Sequence, residues 1–213
     1  MLLSSSLFPL LAVLGCAINL TVASPVSTAG QCKTNGECVR AGQPLLKPRS
    51  PSKASRALPS GTPPPADLVD ATNLVNLHTV FRAHYGAGPV TWDDTLAAYA
   101  YDWAKNCVYE HTHGPHGENL AAGGTPGYSQ TDLFNLWAAE SAQYDYNNPG
   151  FSLTTGHFTQ VVWKATTKIG CAAVTCPVGA IFPSYAALYL VCEYETPGNY
   201  EGEFPANVGT YQP

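Results

Sequence analysis

Helix-like segments followed by strand-like segments, without βαβ alternation, predict an α+β layered domain. Three observations carry that expectation. Apolar residues recur at helical spacing in the first half of the domain. Aromatic and β-branched runs separated by Pro/Gly connections fill the second half. Apolar residues make up 45% of the 213-residue chain, enough to build a core.

The domain is expected to span 67–213. Leu74, Leu77, Val80 and Phe81 mark an amphipathic helix over 67–84, which Gly86-Ala87-Gly88-Pro89 breaks. Thr91-Trp92-Asp93-Asp94-Thr95 opens a second helix, with Asp93 or Asp94 near its N-terminus and Leu96, Tyr99, Ala100 and Trp103 as its buried stripe. That helix ends near Cys107. Residues 108–127, rich in His and Gly, read as a loop. Ser129 or Thr131 caps a third helix from Asp132 to about Tyr144, with Leu133, Leu136 and Trp137 facing inward. Residues 146–156 form a loop around Asn147-Asn148-Pro149-Gly150. Three strand-like stretches follow at 158–163, 169–175 and 187–194, and Gly198-Asn199-Tyr200 closes the domain.

The segment before the domain predicts compartment rather than fold. Residues 1–23 carry no charge, hold an apolar run from 7 to 18, and end on Thr21-Val22-Ala23. This reads as a signal peptide cleaved after Ala23, although it lacks the usual positive n-region. The run is too short to span a bilayer well, so no stable membrane insertion is expected. Cleavage removes Cys16 and leaves Cys32, Cys38, Cys107, Cys171, Cys176 and Cys192, an even set that implies disulfides in a secreted chain. Spacing alone leaves their pairing open. The chain's one Asn-x-Ser/Thr sequon, Asn19-Leu20-Thr21, falls inside the removed segment. Residues 24–66 read as a disordered Pro/Ser-rich linker.

Charge narrows the partners. Residues 24–66 hold six Lys/Arg and one acid, giving +5, whereas 67–213 hold four Lys/Arg and fourteen acids, giving −10. An acidic body argues against a nucleic-acid surface.

Two segments carry chemistry-bearing side chains. Three of the six His lie in His111-Thr112-His113-Gly114-Pro115-His116-Gly117-Glu118-Asn119-Leu120, and another stands in Gly156-His157-Phe158-Thr159-Gln160-Val161-Val162-Trp163. His111, His157, Glu118 and Glu140 have the donor types for a divalent cation or for proton transfer. The alternative is ordinary solvation. His-Glu-x-x-His, Gly-x-Ser-x-Gly and a phosphate loop are all missing, and no nucleophile is marked. Tyr144, Tyr146 and Phe151 flank the Asn147–Gly150 turn. They either form an apolar surface for a rigid hydrophobic ligand or pack on the core.

These residues resemble known motifs. Residues 156–163 resemble the signature of the CAP superfamily, which comprises cysteine-rich secretory, antigen 5 and pathogenesis-related proteins. Gly117-Glu118-Asn119-Leu120 matches a second signature, and residues 189–200 match a third. His78-Thr79-Val80-Phe81-Arg82 resembles His-Asn-x-x-Arg, with Thr79 in place of Asn. Asn148-Pro149-Gly150-Phe151 and residues 198–204 resemble the pathogen-related yeast branch, whose members bind and export sterols. The resemblance implies a three-layer α-β-α sandwich in a single domain. It also implies a cavity of His111, Glu118, Glu140 and His157, in which the two His hold zinc or magnesium and the Glu support them. Tyr144, Tyr146, Pro149 and Phe151 become the sterol-binding loop, through the aromatic spacing of a caveolin-binding motif, and fatty acids would occupy a separate groove. The implied disulfides are Cys107–Cys176 and Cys171–Cys192, leaving Cys32–Cys38. The expected protein is a secreted monomeric sterol or lipid carrier rather than an enzyme. A metal-dependent hydrolase or protease, or a defence or virulence effector without chemistry, are the alternatives.

Overall fold

The structure is a computed structural model that describes residues 69–213. The signal peptide, the 24–66 linker and the Cys32–Cys38 pair lie outside the described residues.

Four strands form one sheet: β1 (Thr91–Trp92), β2 (Gly117–Gly124), β3 (Lys168–Cys176) and β4 (Ala187–Glu195), in the order β1-β3-β4-β2. β1 runs parallel to β3, and β4 is antiparallel to both β3 and β2. α1 (Ala71–Ala83), α2 (Asp94–Ala104), α3 (Gln130–Ala139), α4 (Gly156–Val161) and α5 (Phe204–Asn207) complete the regular structure, with a 3₁₀ turn at Glu140–Gln143.

Helices cover both sheet faces. Ile169, Cys171 and Ala173 on β3, with Leu190, Cys192 and Tyr194 on β4, pack with Leu74 of α1, Leu133, Phe134 and Trp137 of α3, and Phe158 of α4. The alternate residues Ala172, Val174, Cys176, Tyr189 and Val191 pack with Ala100 and Ala104 of α2. A sheet buried on both faces needs apolar residues at successive positions, which explains the unbroken apolar runs of β3 and β4. α2 meets the sheet through alanines. A Cβ at Gly170 would lie 2.2 Å from the Ala97 amide, so glycine sets this close approach.

The predicted helices are present with displaced ends. Asp70, Asp93 and Ser129 cap α1, α2 and α3 with side-chain oxygens on backbone amides, and Ser129 and Asp132 form a reciprocal capping box. Val80 and Leu136, expected inside, are 53% and 47% exposed. Their places on the inner faces go to His78 and Phe134, which the 3.6-residue period brings round to the core side.

Two expectations are corrected. Residues 158–163, read as a strand, belong largely to α4 and its C-terminal turn. Their β-branched composition is overridden at both ends of the helix. The Glu140 carboxylate accepts the His157 and Phe158 amides at 3.0 Å each. At the other end Arg82 donates to the carbonyls of Val161 and Trp163. Both partners come from distant segments, so the local sequence does not announce the helix. Likewise, residues 117–124, read as loop, form β2 and pair with β4 over eight positions. Gly-Glu-Asn-Leu-Ala-Ala-Gly-Gly is poor strand material alone, and the β4 ladder supplies the order.

Candidate functional site

The site lies at one end of β2, between the 108–116 loop, the 3₁₀ turn and α4. It is built from two His–Glu pairs. In the first, His111 Nδ1 lies 2.5 Å from Glu118 Oε1, and the Thr112 amide donates to the same carboxylate. In the second, His157 Nδ1 lies 2.6 Å from Glu140 Oε1, whose other oxygen takes the α4 amides. Glu140 therefore caps a helix and orients an imidazole with one carboxylate. Both rings use Nδ1 on a carboxylate, so Nε2 is the nitrogen each can offer a cation, the usual carboxylate–histidine–metal arrangement. Among the described residues no group of three or more His, Cys, Asp or Glu gathers as a metal site, so any ion here would complete its shell with water.

Leu120 joins the two pairs. Its carbonyl accepts Trp137 Nε1 at 3.0 Å and the Tyr109 hydroxyl at 3.4 Å. The Trp137 ring stacks on His157, with centroids 6.2 Å apart, while Tyr109 lies two residues before His111. His113 and His116 are outside the pairs. His116 packs edge-on against Tyr99, and burial lowers its pKa.

A buried polar chain supports His157 from below. His78, fully buried, donates Nδ1–H to the Leu74 carbonyl and accepts the Tyr194 hydroxyl at Nε2. Asn119 donates to the Tyr194 oxygen and to the His157 carbonyl. Burial pushes the His78 imidazole down to about 4, so it is neutral at pH 7 and keeps the tautomer this chain needs. Across the motifs, Gln160 accepts the Gly198 amide and donates to Thr166, and Asn199 pairs with Thr159 and the Gly156 carbonyl.

Sequence reasoning missed one acid. Glu193 faces Glu118 directly across the β2–β4 ladder and is fully buried. Neither of its oxygens has a hydrogen-bond donor among the described residues. Two carboxylates can bond only if one holds a proton. Burial, then the Glu118 charge and hydrogen bond, push the Glu193 carboxyl well above 4.5. Burial also pushes Glu118 upward, but hydrogen bonds from His111 and Glu193 outweigh it and hold Glu118 below 4.5. Glu193 is therefore the partner that holds the proton, and Glu118 the one that is ionised. The available signal was its place at β4 register opposite Glu118, visible only once β2 is recognised as a strand.

Because Glu193 takes up a proton on folding, its contribution is full below the unfolded pKa near 4.5 and is lost as pH rises toward the folded value. Glu193→Gln, which mimics the protonated acid, is expected to match the parent's stability near pH 4.5 and to exceed it above. The gap in urea midpoint stability should grow by at most about 1.4 kcal/mol per pH unit. Equal stability of the two proteins at pH 8 would show that Glu193 folds ionised.

The residues expected to bind sterol lie elsewhere, on the segment between the 3₁₀ turn and α4. Tyr144 is buried, Tyr146 is 37% exposed, Pro149 is exposed and Phe151 is partly buried. Tyr144 and Tyr146 meet edge-to-face at 4.9 Å. A cavity of about 410 Å³ opens here, walled by Tyr144, Pro149, Gly150 and Phe151 together with Gln143, Asp145 and Glu201.

Cys107 is bonded to Cys176, and Cys171 to Cys192. No helix among the described residues is long and apolar enough to cross a membrane.

Residues 75–194, more than half of the chain, match the family model CAP, cysteine-rich secretory protein family. Protein PRY2 of Saccharomyces cerevisiae is 45% identical over 145 residues, which cover 65% of this chain and 40% of that protein. Pathogenesis-related protein 1A1 of Solanum lycopersicum is 41% identical over 136 residues, covering 60% of this chain and 72% of that one. The chain thus spans less than half the length of its yeast relative. The crystal structure of NaASP2 with Zn2+ shares the fold, with TM-score 0.55 at 21% identity, over 70% of this chain and 92% of that one. Its layered fold, its ordered motifs and its match to the family model make this chain a member of the CAP family.

Proposed function

We propose that the protein is a secreted carrier of sterols and similar small lipids, taken up at the loop of Tyr144, Tyr146, Pro149 and Phe151. The observation that supports this most is the coincidence of that loop with a cavity of about 410 Å³. Small-molecule sites generally occupy about 300–1,000 Å³. Burial of a rigid hydrocarbon against aromatic rings supplies affinity without a cofactor. Secretion is supported by the signal-like first 23 residues and by two disulfides within the domain, which form in oxidising compartments. To the His111/His157 pair we assign a divalent cation, zinc or magnesium, taken through Nε2. Lewis-acid and water-activating chemistry is what such an ion supplies, and the binding of lipid at the loop does not call on it.

The test is saturable binding of radiolabelled cholesterol to the purified protein. Tyr146→Ala removes the edge-to-face partner that holds Tyr144 on the cavity wall, and is expected to weaken binding about tenfold. His111→Ala with His157→Ala should leave cholesterol binding unchanged and remove bound cation. Undiminished binding in Tyr146→Ala would move the site off this loop. Absence of saturable binding in the parent would remove the carrier function.

A further inference from the structure

One end of the domain is free of charge and exposes apolar side chains. Residues 119–131 and 169–192 hold no Asp, Glu, Lys or Arg, although 67–213 together carry −10. The sheet brings these two segments together. Residues 177–186 join β3 to β4 and meet the turn after β2, where the Thr125 amide donates to the Ala186 carbonyl at 2.9 Å. The Tyr185 ring lies over Gly124 and the Tyr128 ring over Gly123, so glycine lets both rings rest on the strand. Val178 is 61% exposed, Tyr185 50% and Tyr128 45%. Ile181 and Phe182 are half-buried, and the Phe182 and Tyr185 rings are 4.8 Å apart. Apolar groups gathered at one end mark a contact surface, which single exposed residues do not.

The chain enters the domain at this same end. The Asp70 amide donates to Gln130 Oε1, and Asn73 Nδ2 to Thr131 Oγ1, each at 3.0 Å. These bonds set the start of α1 beside the start of α3, whose cap, Ser129, follows Tyr128. Residues 24–66 carry +5, and Lys47, Arg49, Lys53 and Arg56 stand 13 to 22 residues before Val69. Asp70 and Asp132 border the surface, and both are engaged at helix N-termini. An anionic bilayer repels most of the acidic domain and attracts the basic segment. It meets little opposing charge at the end where that segment joins. Tyrosine is favoured at the boundary between bilayer and water. Apolar burial and attraction of basic residues to anionic lipid add together in holding a protein on a membrane it does not span.

We propose that this end of the domain is a docking surface for an anionic phospholipid bilayer, with Val178, Tyr185 and Tyr128 in the head-group layer and the basic segment on the phosphates. The surface shares no residue with the 144–151 cavity or with the two His–Glu pairs.

The experiment is co-flotation of the chain from Ser24, which lacks the apolar first 23 residues, with two kinds of vesicle. One is phosphatidylcholine, the other phosphatidylcholine mixed with phosphatidylserine. The parent is expected to bind the mixed vesicles at least about tenfold more tightly, and to be released as salt rises. Val178→Glu with Tyr185→Glu should weaken that binding about tenfold or more, by removing apolar contact and adding negative charge. Lys47→Gln, Arg49→Gln, Lys53→Gln and Arg56→Gln together should also weaken it about tenfold or more, since each basic residue near an anionic surface is worth about fivefold. These four positions precede the described domain, so this variant tests the proposal even if the Glu variant fails to fold, which its urea midpoint reports. A parent that floats with neither vesicle, or equally with both, overturns the proposal. Undiminished binding in the Gln variant, or in a Glu variant with the parent's urea midpoint, does so as well. None of these readouts uses a sterol, so a failure here leaves the carrier function standing.

Discussion

Arg82→Met is expected to bring the domain close to unfolding. Arg82 is fully buried, and its guanidinium donates to four backbone carbonyls: Gly88 at 2.7 Å, Val161 at 2.8 Å, Trp163 at 2.9 Å and Thr166 at 2.7 Å. Burial pushes it down to about 10, which leaves it charged at neutral pH. Methionine preserves the apolar stem but removes the Arg82 donors; the Trp163 carbonyl keeps the Thr166 amide and Gly88 is exposed, so the carbonyls of Val161 and Thr166 bear the main loss. Leaving a buried acceptor unsatisfied costs about 1–3 kcal/mol, and the effects are not fully additive, so a total loss of about 4 kcal/mol or more is expected. That is a large share of the about 5–15 kcal/mol by which domains are stable. Arg82→Lys should fall between, because one ammonium cannot reproduce the planar spread of donors. Urea unfolding provides the measurement. A Met variant within 1 kcal/mol of the parent, a threshold set by typical surface effects of about 0.5 kcal/mol, would show that water reaches these carbonyls.

The second large effect is expected from Cys107→Ser with Cys176→Ser. The two cysteines are 69 residues apart, and closing a loop of that length contributes about 4 kcal/mol in the chain-entropy model. Cys171–Cys192, with a separation of 21, should contribute about 3 kcal/mol. The two bonds should also differ in what they loosen. Cys171 and Cys192 face each other within the β3–β4 ladder, so hydrogen bonds retain that geometry after reduction. Cys107 starts the segment that carries Tyr109 and His111, and its bond ties that segment to the end of β3. If the proposed cation site at His111 exists, the Cys107/Cys176 variant is expected to lose it and the Cys171/Cys192 variant to retain it. Equal effects of both on stability and on cation binding would contradict it.

The elements that were misread share one cause. α4 has strand-like residues, and β2 has loop-like residues. Glu140 and Arg82 make α4 a helix from 17 and 79 residues away. β4 makes β2 a strand from the far side of the chain. Segments whose backbone hydrogen bonds are supplied by distant partners are the ones local propensity cannot describe. Glu193 escaped notice for the same reason, since its importance comes only from facing Glu118 across a strand pair.

By itself the sequence determined the layered α+β class, the residue pairs from which the caps of α2 and α3 are drawn, and the membership that the ordered motifs carry. These depend on short-range periodicity, on side chains within a few residues of a helix start, and on residue identity. The tertiary structure alone decided which imidazole meets which carboxylate and which of two facing acids keeps its proton. Those outcomes depend on burial and on contacts between residues far apart in the chain, and desolvation has no value until the chain has folded around the group.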